Sequence, residues 1–307
     1  MLSIIVNFHN NRREAVRTLH SLRRSYQRDG QRIEYEVIVT DHNSLHLLDE
    51  NFVRSHGENF HYYPLATPDC ITPTPAIAKG LKHARGEHLM IVIDGAHILS
   101  PGVLYWASKA FSLFDNPFIA TVPFHLGPGP QNETVSQGYN QQAEDELLAK
   151  VKWEENGYRL FDAAGAFSDT SLGWFGCLFE SNCFALKRST YDGLGGLDPA
   201  FTTSGGGMVN LDFFRRAVMR RELDYVMLLG EGTFHQFHGG VASNAPLQLH
   251  PLRQYQAEYT LLRGQRHDRF RRRPVFLGEI PQEALKVFQA AAAAGFEWWA
   301  ANPPEVI

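Results

Sequence analysis

Cysteine is scarce in this chain. Cys70, Cys177 and Cys183 are the three present, an odd number with no CxxC spacing, which excludes a disulfide framework and a cysteine-ligated zinc site. Charge imbalance is lacking too: 29 Lys and Arg against 33 Asp and Glu leave a net charge of −4. That balance points to neither nucleic acid nor a membrane surface as a partner. No uncharged apolar run approaches the roughly 20 residues of a membrane span. The opening Met1-Leu2-Ser3-Ile4 has no basic segment and no cleavage pattern, so a cytoplasmic protein is expected. The loop His9-Asn10-Asn11-Arg12-Arg13 contains no glycine, whereas a dinucleotide fingerprint needs glycines there for its tight turn and close pyrophosphate approach. GxxxxGK(S/T), HExxH and GxSxG are absent, which removes P-loop, zincin and α/β-hydrolase readings.

What is present is a core-forming composition and an excess of histidine. The 307 residues are 44% hydrophobic and include 14 histidines, enough apolar material for one large α/β domain with an extension. Through residue 125, strand and helix patterns alternate. Ser3 to Phe8, Val37 to Asp41, Phe60 to Tyr63, Leu89 to Ile93 and Ile119 to Phe124 read as strands. Between them, Ala15, Val16, Leu19 and Leu22 fall at helical spacing, Ala76 to Ala84 reads as a helix, and Pro101 opens another that runs to about Phe114. Such alternation predicts a mostly parallel sheet with helices on both faces. Ligands of such sheets bind beyond the carboxyl ends of the strands, where His9, Asp41 and Asp94 fall.

The stretch Leu126 to Asn140 reads as a loop over a site. Its Asn132-Glu133-Thr134 is a chance glycosylation sequon in a chain with no secretion signal. Cys183 to Lys187 reads as a buried strand and Leu211 to Arg221 as a helix. Residues 246–307 read as a helical tail, interrupted by the run from Arg269 to Pro274, which is expected to be a solvated loop. The organisation expected is thus a domain over 1–245, divided at 125/126, and a helical extension over 246–307.

Several blocks resemble family 2 glycosyltransferases, which have the nucleotide-sugar-binding GT-A fold. Ser3-Ile4-Ile5-Val6-Asn7-Phe8-His9-Asn10 resembles their first strand, and Val37-Ile38-Val39-Thr40-Asp41-His42-Asn43-Ser44 their second, with Asp41 where the nucleobase-binding aspartate stands. Ile91-Val92-Ile93-Asp94-Gly95-Ala96-His97 resembles the segment bearing their Asp-x-Asp metal motif. Cys183 to Arg188 and Leu194 to Phe201 resemble the acceptor-side strand and the loop before the catalytic helix. The resemblance spans roughly residues 3 to 220. It implies an inverting, hexosyltransferase-like enzyme in polysaccharide or glycoconjugate synthesis, with a nucleotide-sugar donor, a glycan or other hydroxyl acceptor, and Mn2+ or Mg2+ as cofactor. The donor is expected near Phe8, His9, Asp41, Asn43, Lys79, Asp94 and Gly95.

Two positions depart from the family pattern. Ala96 replaces the second aspartate of Asp-x-Asp, so Asp94 needs help from His97, His235 or His238 to hold a hard divalent ion. On a continuous strand, His235 and His238 face opposite ways unless a turn intervenes. Asn210 stands where the catalytic base is expected, and Asn cannot accept a proton. The role then passes to Asp212, which is equally placed to serve as a plain cap, with Glu231 in reserve. These departures leave open a protein that binds nucleotide-sugar or glycan without turning it over. A nucleotidyltransferase is disfavoured by the glycine-free first loop.

Overall fold

A computed structural model describes residues 1–67, 70, 72–167 and 172–305. The strands are β1 (Leu2–Phe8), β2 (Tyr35–His42), β3 (Phe60–Leu65), β4 (His88–Val92), β5 (His97–Leu99), β6 (Pro117–Leu126), β7 (Ala164–Phe167), β8 (Cys183–Lys187), β9 (Asp224–His235) and β10 (Val275–Gly278). All belong to one sheet, whose main path runs β10-β9-β6-β8-β4-β1-β2-β3. Pairings β1·β2, β1·β4, β2·β3, β6·β9 and β9·β10 are parallel. Only β8 runs antiparallel to its neighbours along that path, between β4 and β6. This is the mostly parallel α/β fold with helices on both faces and a C-terminal helical extension that the alternating pattern predicts.

Alternation along β1 feeds two cores. Ile4, Val6 and Phe8 join one apolar cluster with Ala15, Leu19, Val103 and Leu104, while Ile5 joins the other with Ile77, Phe213 and Phe214. A strand buried on both faces must therefore be an unbroken apolar run. Each fully buried Phe or Leu removed from water contributes roughly 1.5–3 kcal/mol. On the first helix, Arg12–Ser21, Ala15 and Leu19 turn inward but Val16 is half exposed, so the apolar face is narrower than the spacing suggests.

Three expectations need correction. Leu126 to Asn140 is not simply a loop: Gln131–Thr134 is a helical turn whose Gln131 is completely buried. The segment beyond 245 is not purely helical either, because β10 extends the sheet in parallel with β9. Nor is Arg269 to Pro274 a solvated loop. Arg272 donates to the carbonyls of Val218, Arg220 and Leu223, satisfying acceptors left open where the helix Val209–Val218 ends. The guanidinium of Arg273 lies over Trp299 of the last helix, Leu285–Ala301. No helix among the described residues is long and apolar enough to cross a membrane.

Candidate metal and donor site

The carboxyl ends of β1, β4, β6 and β9 open onto a cavity of about 1550 Å³. At its base lies a cluster of three histidines and an aspartate. β5 pairs antiparallel with β9 so that His97 stands opposite His235, and Asp94 ends the segment just before β5. Asp94, His235 and His238 each offer a ligand atom, all within 4.8 Å of one another. His238 Nε2 lies 3.2 Å from His235 Nε2 and 3.6 Å from Asp94 Oδ2. His97 also lines the cavity, with Nδ1 3.4 Å from Asp94 Oδ1, and stands outside the three-residue group.

The turn that brings His238 back toward His235 is built by Asn244. Its Oδ1 accepts from the backbone N–H groups of His238, Gly239 and Gly240 at 3.0, 2.9 and 3.0 Å. Gly239 has φ +84°, a left-handed conformation that glycine adopts without steric cost. The two histidines therefore face each other because the strand ends at His235.

Gln131 fixes the tautomer of His235. Its Nε2 donates to the carbonyls of Leu126 and His235, which leaves Oε1 as the acceptor. Oε1 receives Asn244 Nδ2 at 2.8 Å and His235 Nδ1 at 2.7 Å. His235 thus carries its proton on Nδ1 and presents an Nε2 lone pair to the cluster. Burial, and then His97 and His238, hold this imidazole well below its ordinary pKa, so it is neutral. Burial pushes the Asp94 carboxyl up, but His238 and His97 outweigh it and hold Asp94 well below the usual range.

One helix braces both halves of the cluster. Thr18, on Arg12–Ser21, donates to the Gly95 carbonyl at 2.7 Å. Gln236 donates to the Glu14 carbonyl and to Thr18 Oγ1 at 3.2 and 3.1 Å. Arg13 and Glu144 grip Phe237 from either side, through its carbonyl and its N–H. Burial raises Glu144 to about 7 despite Arg13 and Arg17.

The donor set fits a divalent transition ion. Metal–nitrogen bonds of about 2.1 Å separate adjacent ligand nitrogens by roughly 3.0–3.4 Å, and the two Nε2 atoms are 3.2 Å apart. A histidine ligand commonly donates its other ring N–H to an outer partner, as His235 does to Gln131. Two imidazoles and a carboxylate suit Mn2+, Fe2+, Co2+ or Zn2+ better than Mg2+.

The other predicted residues are placed as follows. His9 lines the cavity with Nδ1 2.7 Å from the His42 carbonyl. Asp41 is buried and stands outside the lining. It accepts from Leu48 N at 2.7 Å, from Tyr62 OH at 3.3 Å and from Ser44 Oγ, so its carboxylate shapes the loop after β2. Asn43 staples the same region, donating to the carbonyls of Thr67 and Cys70 and accepting from Thr67 N. Phe8 is buried beneath Gly95, where an added Cβ would meet its ring at 2.1 Å. Lys79 is half-buried and does not line the cavity.

Neither of the carboxylates expected to be catalytic lines the cavity. Asp212, 1% exposed, pairs with Arg263 Nε at 2.7 Å and Arg216 Nε at 2.8 Å. Burial raises its pKa, but the bonds from Arg263 and Arg216 outweigh this and lower it. Bound by two guanidiniums and absent from the cavity lining, this carboxylate is placed as a brace between side chains. Glu231 is equally buried and accepts from Tyr158 OH, Gly102 N and Ser100 Oγ. Burial raises it to about 7, and it too stands apart from the cavity. Sequence reasoning missed Asn7, His42, Gln131 and Glu180. Of these, Asn7, His42 and Glu180 line the cavity, and Asn7 Oδ1 is buried without a hydrogen-bond partner. Asn7 and His42 sit in the same strand ends as the predicted His9 and Asp41, a signal that could have found them.

Fold and site together define an α/β chain with a carboxylate–imidazole cluster at the carboxyl ends of its parallel strands. No family model and no curated protein matches the chain. Solved structures do match it. TarS 1-349 from S. aureus in complex with UDP-GlcNAc is 22% identical over 41% of this chain and 35% of that chain, with a TM-score of 0.35. TarS 1-349 alone aligns over 98% of this chain and 73% of that one at 14% identity and TM-score 0.45. The mannosyltransferase PcManGT from Pyrobaculum calidifontis, in complex with GDP-Man and Mn2+, aligns over 99% and 76% at 16% identity and TM-score 0.44. The match thus runs over nearly the whole chain in two of these, while the chain spans about a third of the first.

Proposed function

We propose that this chain is a nucleotide-sugar-dependent glycosyltransferase that moves a sugar from a nucleoside-diphosphate donor to a hydroxyl acceptor with inversion. The observation that carries the reading is the Asp94, His235 and His238 cluster at the base of the strand-end cavity. Arg253 and Arg269 are the cavity's only Lys or Arg residues among the described lining, so a bound diphosphate would depend on a cation for charge neutralisation. A divalent ion held by Asp94, His235 and His238 would supply that charge as the diphosphate departs. His97 orients Asp94, and Gln131 holds the His235 tautomer. Asn7, His9, Asn10 and His42 line the adjoining wall and offer polar groups to the nucleoside. The volume of about 1550 Å³ exceeds the roughly 300–1,000 Å³ of a single small-ligand site and suits donor and acceptor together.

A second reading, binding of nucleotide-sugar or glycan without transfer, draws support from the loss of Asp212 to its ion pairs. A thermal-shift panel of nucleoside diphosphates and their sugars, with and without Mn2+, tests the donor site. At least one nucleotide is expected to stabilise the chain only with metal, and Asp94→Ala is expected to abolish that shift. An unchanged shift in the variant would contradict the proposal.

A further inference from the structure

Asp94 and Glu180 are the two carboxylates lining the cavity among the described residues. Asp94 belongs to the metal cluster. Glu180 owes its place to the reversal of β8. Because β8 runs antiparallel to β4, the chain entering β8 passes the carboxyl end of β4, where Ile93 N donates to the Asn182 carbonyl at 2.8 Å. Glu180, two residues earlier, therefore arrives at the same rim as Asp94. Its backbone neighbour Ser181 is pinned through its Oγ, which lies 2.9 and 2.7 Å from the Thr121 and Cys183 carbonyls.

Asn210 reaches this carboxylate from the first turn of the helix Val209–Val218. Its Nδ2 donates to Glu180 Oε2 and to the Ser181 carbonyl, both at 3.3 Å. Its Oδ1 is buried and has no hydrogen-bond partner, an arrangement that costs free energy until a donor arrives. Helical geometry separates residues 210 and 212 by about 200°, so Asn210 faces the cavity while Asp212 faces Arg263. The amide at the position where a base is expected thus holds a carboxylate from another segment.

We propose that Glu180 is the general base of the transfer and that Asn210 is its positioning residue, an inference resting on the donor site proposed above. The acceptor oxygen bonds to the anomeric carbon while its proton passes to a Glu180 oxygen. The bond from that carbon to the diphosphate oxygen breaks, and its electron pair leaves with the nucleoside diphosphate. Glu180 then releases the proton to solvent. The Asn210 hydrogen bond favours the ionised carboxylate between turnovers, and Asn210 Oδ1 supplies an acceptor for a second hydroxyl of the incoming glycan.

The test uses the nucleotide-sugar giving the largest metal-dependent thermal shift, with water as acceptor and release of nucleoside diphosphate as readout. Glu180→Gln should retain the shift yet lower release at least 100-fold, within the range of about 10²–10⁴ for a lost general base. Wild-type release should rise with pH as Glu180 ionises, and that rise should vanish in Glu180→Gln and move to higher pH in Asn210→Ala, which a purely structural role would not produce. Wild-type release rates in Glu180→Gln, or no release by the wild-type chain despite an intact shift, would overturn the inference. If Glu180→Gln loses the shift, Glu180→Asp decides: recovery of the pH-dependent release supports the assignment, and its absence rejects it. Absence of any metal-dependent shift in the wild-type chain would instead overturn the donor reading, and the inference with it.

Discussion

Replacing Asp212 with Asn should unsettle the fold and spare the chemistry. Asp212 joins the helix Val209–Val218 to Leu252–Arg263 through Arg263, pairs with Arg216 one turn along its own helix, and Arg263 also binds Asp198 at 2.8 Å. Removing one partner of a buried ion pair costs about 3–5 kcal/mol. The side chains of Arg216 and Arg263 keep 28% and 25% of their surface exposed and can recover some hydration, which places the expected loss near 3 kcal/mol. For a chain of 307 residues that lowers the melting temperature by roughly 4–6 °C. The two arginines hold the Asp212 carboxyl below its ordinary value of 3.8. Its contribution is therefore complete above that value and is lost as pH falls through the lower folded-state value. The stability gap between wild type and Asp212→Asn should close in strong acid. Thermal and urea unfolding at neutral and acid pH measure the gap, and nucleoside diphosphate release well below the transition measures the chemistry. Unchanged stability with abolished release would return Asp212 to the catalytic machinery and refute this reasoning.

Glu231 gives the opposite pH dependence. Burial lifts its folded value from 4.5 to about 7, so the unfolded chain releases this proton first and stability declines as pH rises between those values, by up to roughly 3 kcal/mol. Glu231→Gln should roughly halve the dependence of urea unfolding across this window, leaving the similar contribution of Glu144, and should be the more stable chain near pH 8. Equal slopes would show that Glu231 is ionised in the fold. At Gln131, substitution by Ala frees Nδ1 of His235 and should weaken Mn2+ binding about 10–100-fold in a direct titration, with the fold retained. Unchanged affinity would remove Gln131 from the site.

The half of the fold built from two-faced strands was legible because burial on both sides demands apolar runs, and β1, β2 and β4 show them. β10 was not legible, since Val275 and Phe276 are partly exposed at an edge and resemble loop sequence. Asp94, His235 and His238 could be named as metal candidates from the missing second carboxylate and the glycines around 239. Their convergence depends on Asn244 and Gln131, contacts that no local pattern encodes. The ion pairing of Asp212 was not legible because its partner Arg263 lies 51 residues away. Glu180 stayed hidden because its relation to Asn210 arises only when β8 reverses beside β4.

The measurement closest to the central claim is calorimetric titration of the wild-type chain with the nucleoside diphosphate that stabilises it, once with EDTA and once with Mn2+. The account predicts binding at least tenfold tighter with Mn2+ and loss of that advantage in Asp94→Ala. Equal affinity in EDTA and Mn2+, or a metal advantage that survives Asp94→Ala, would contradict it.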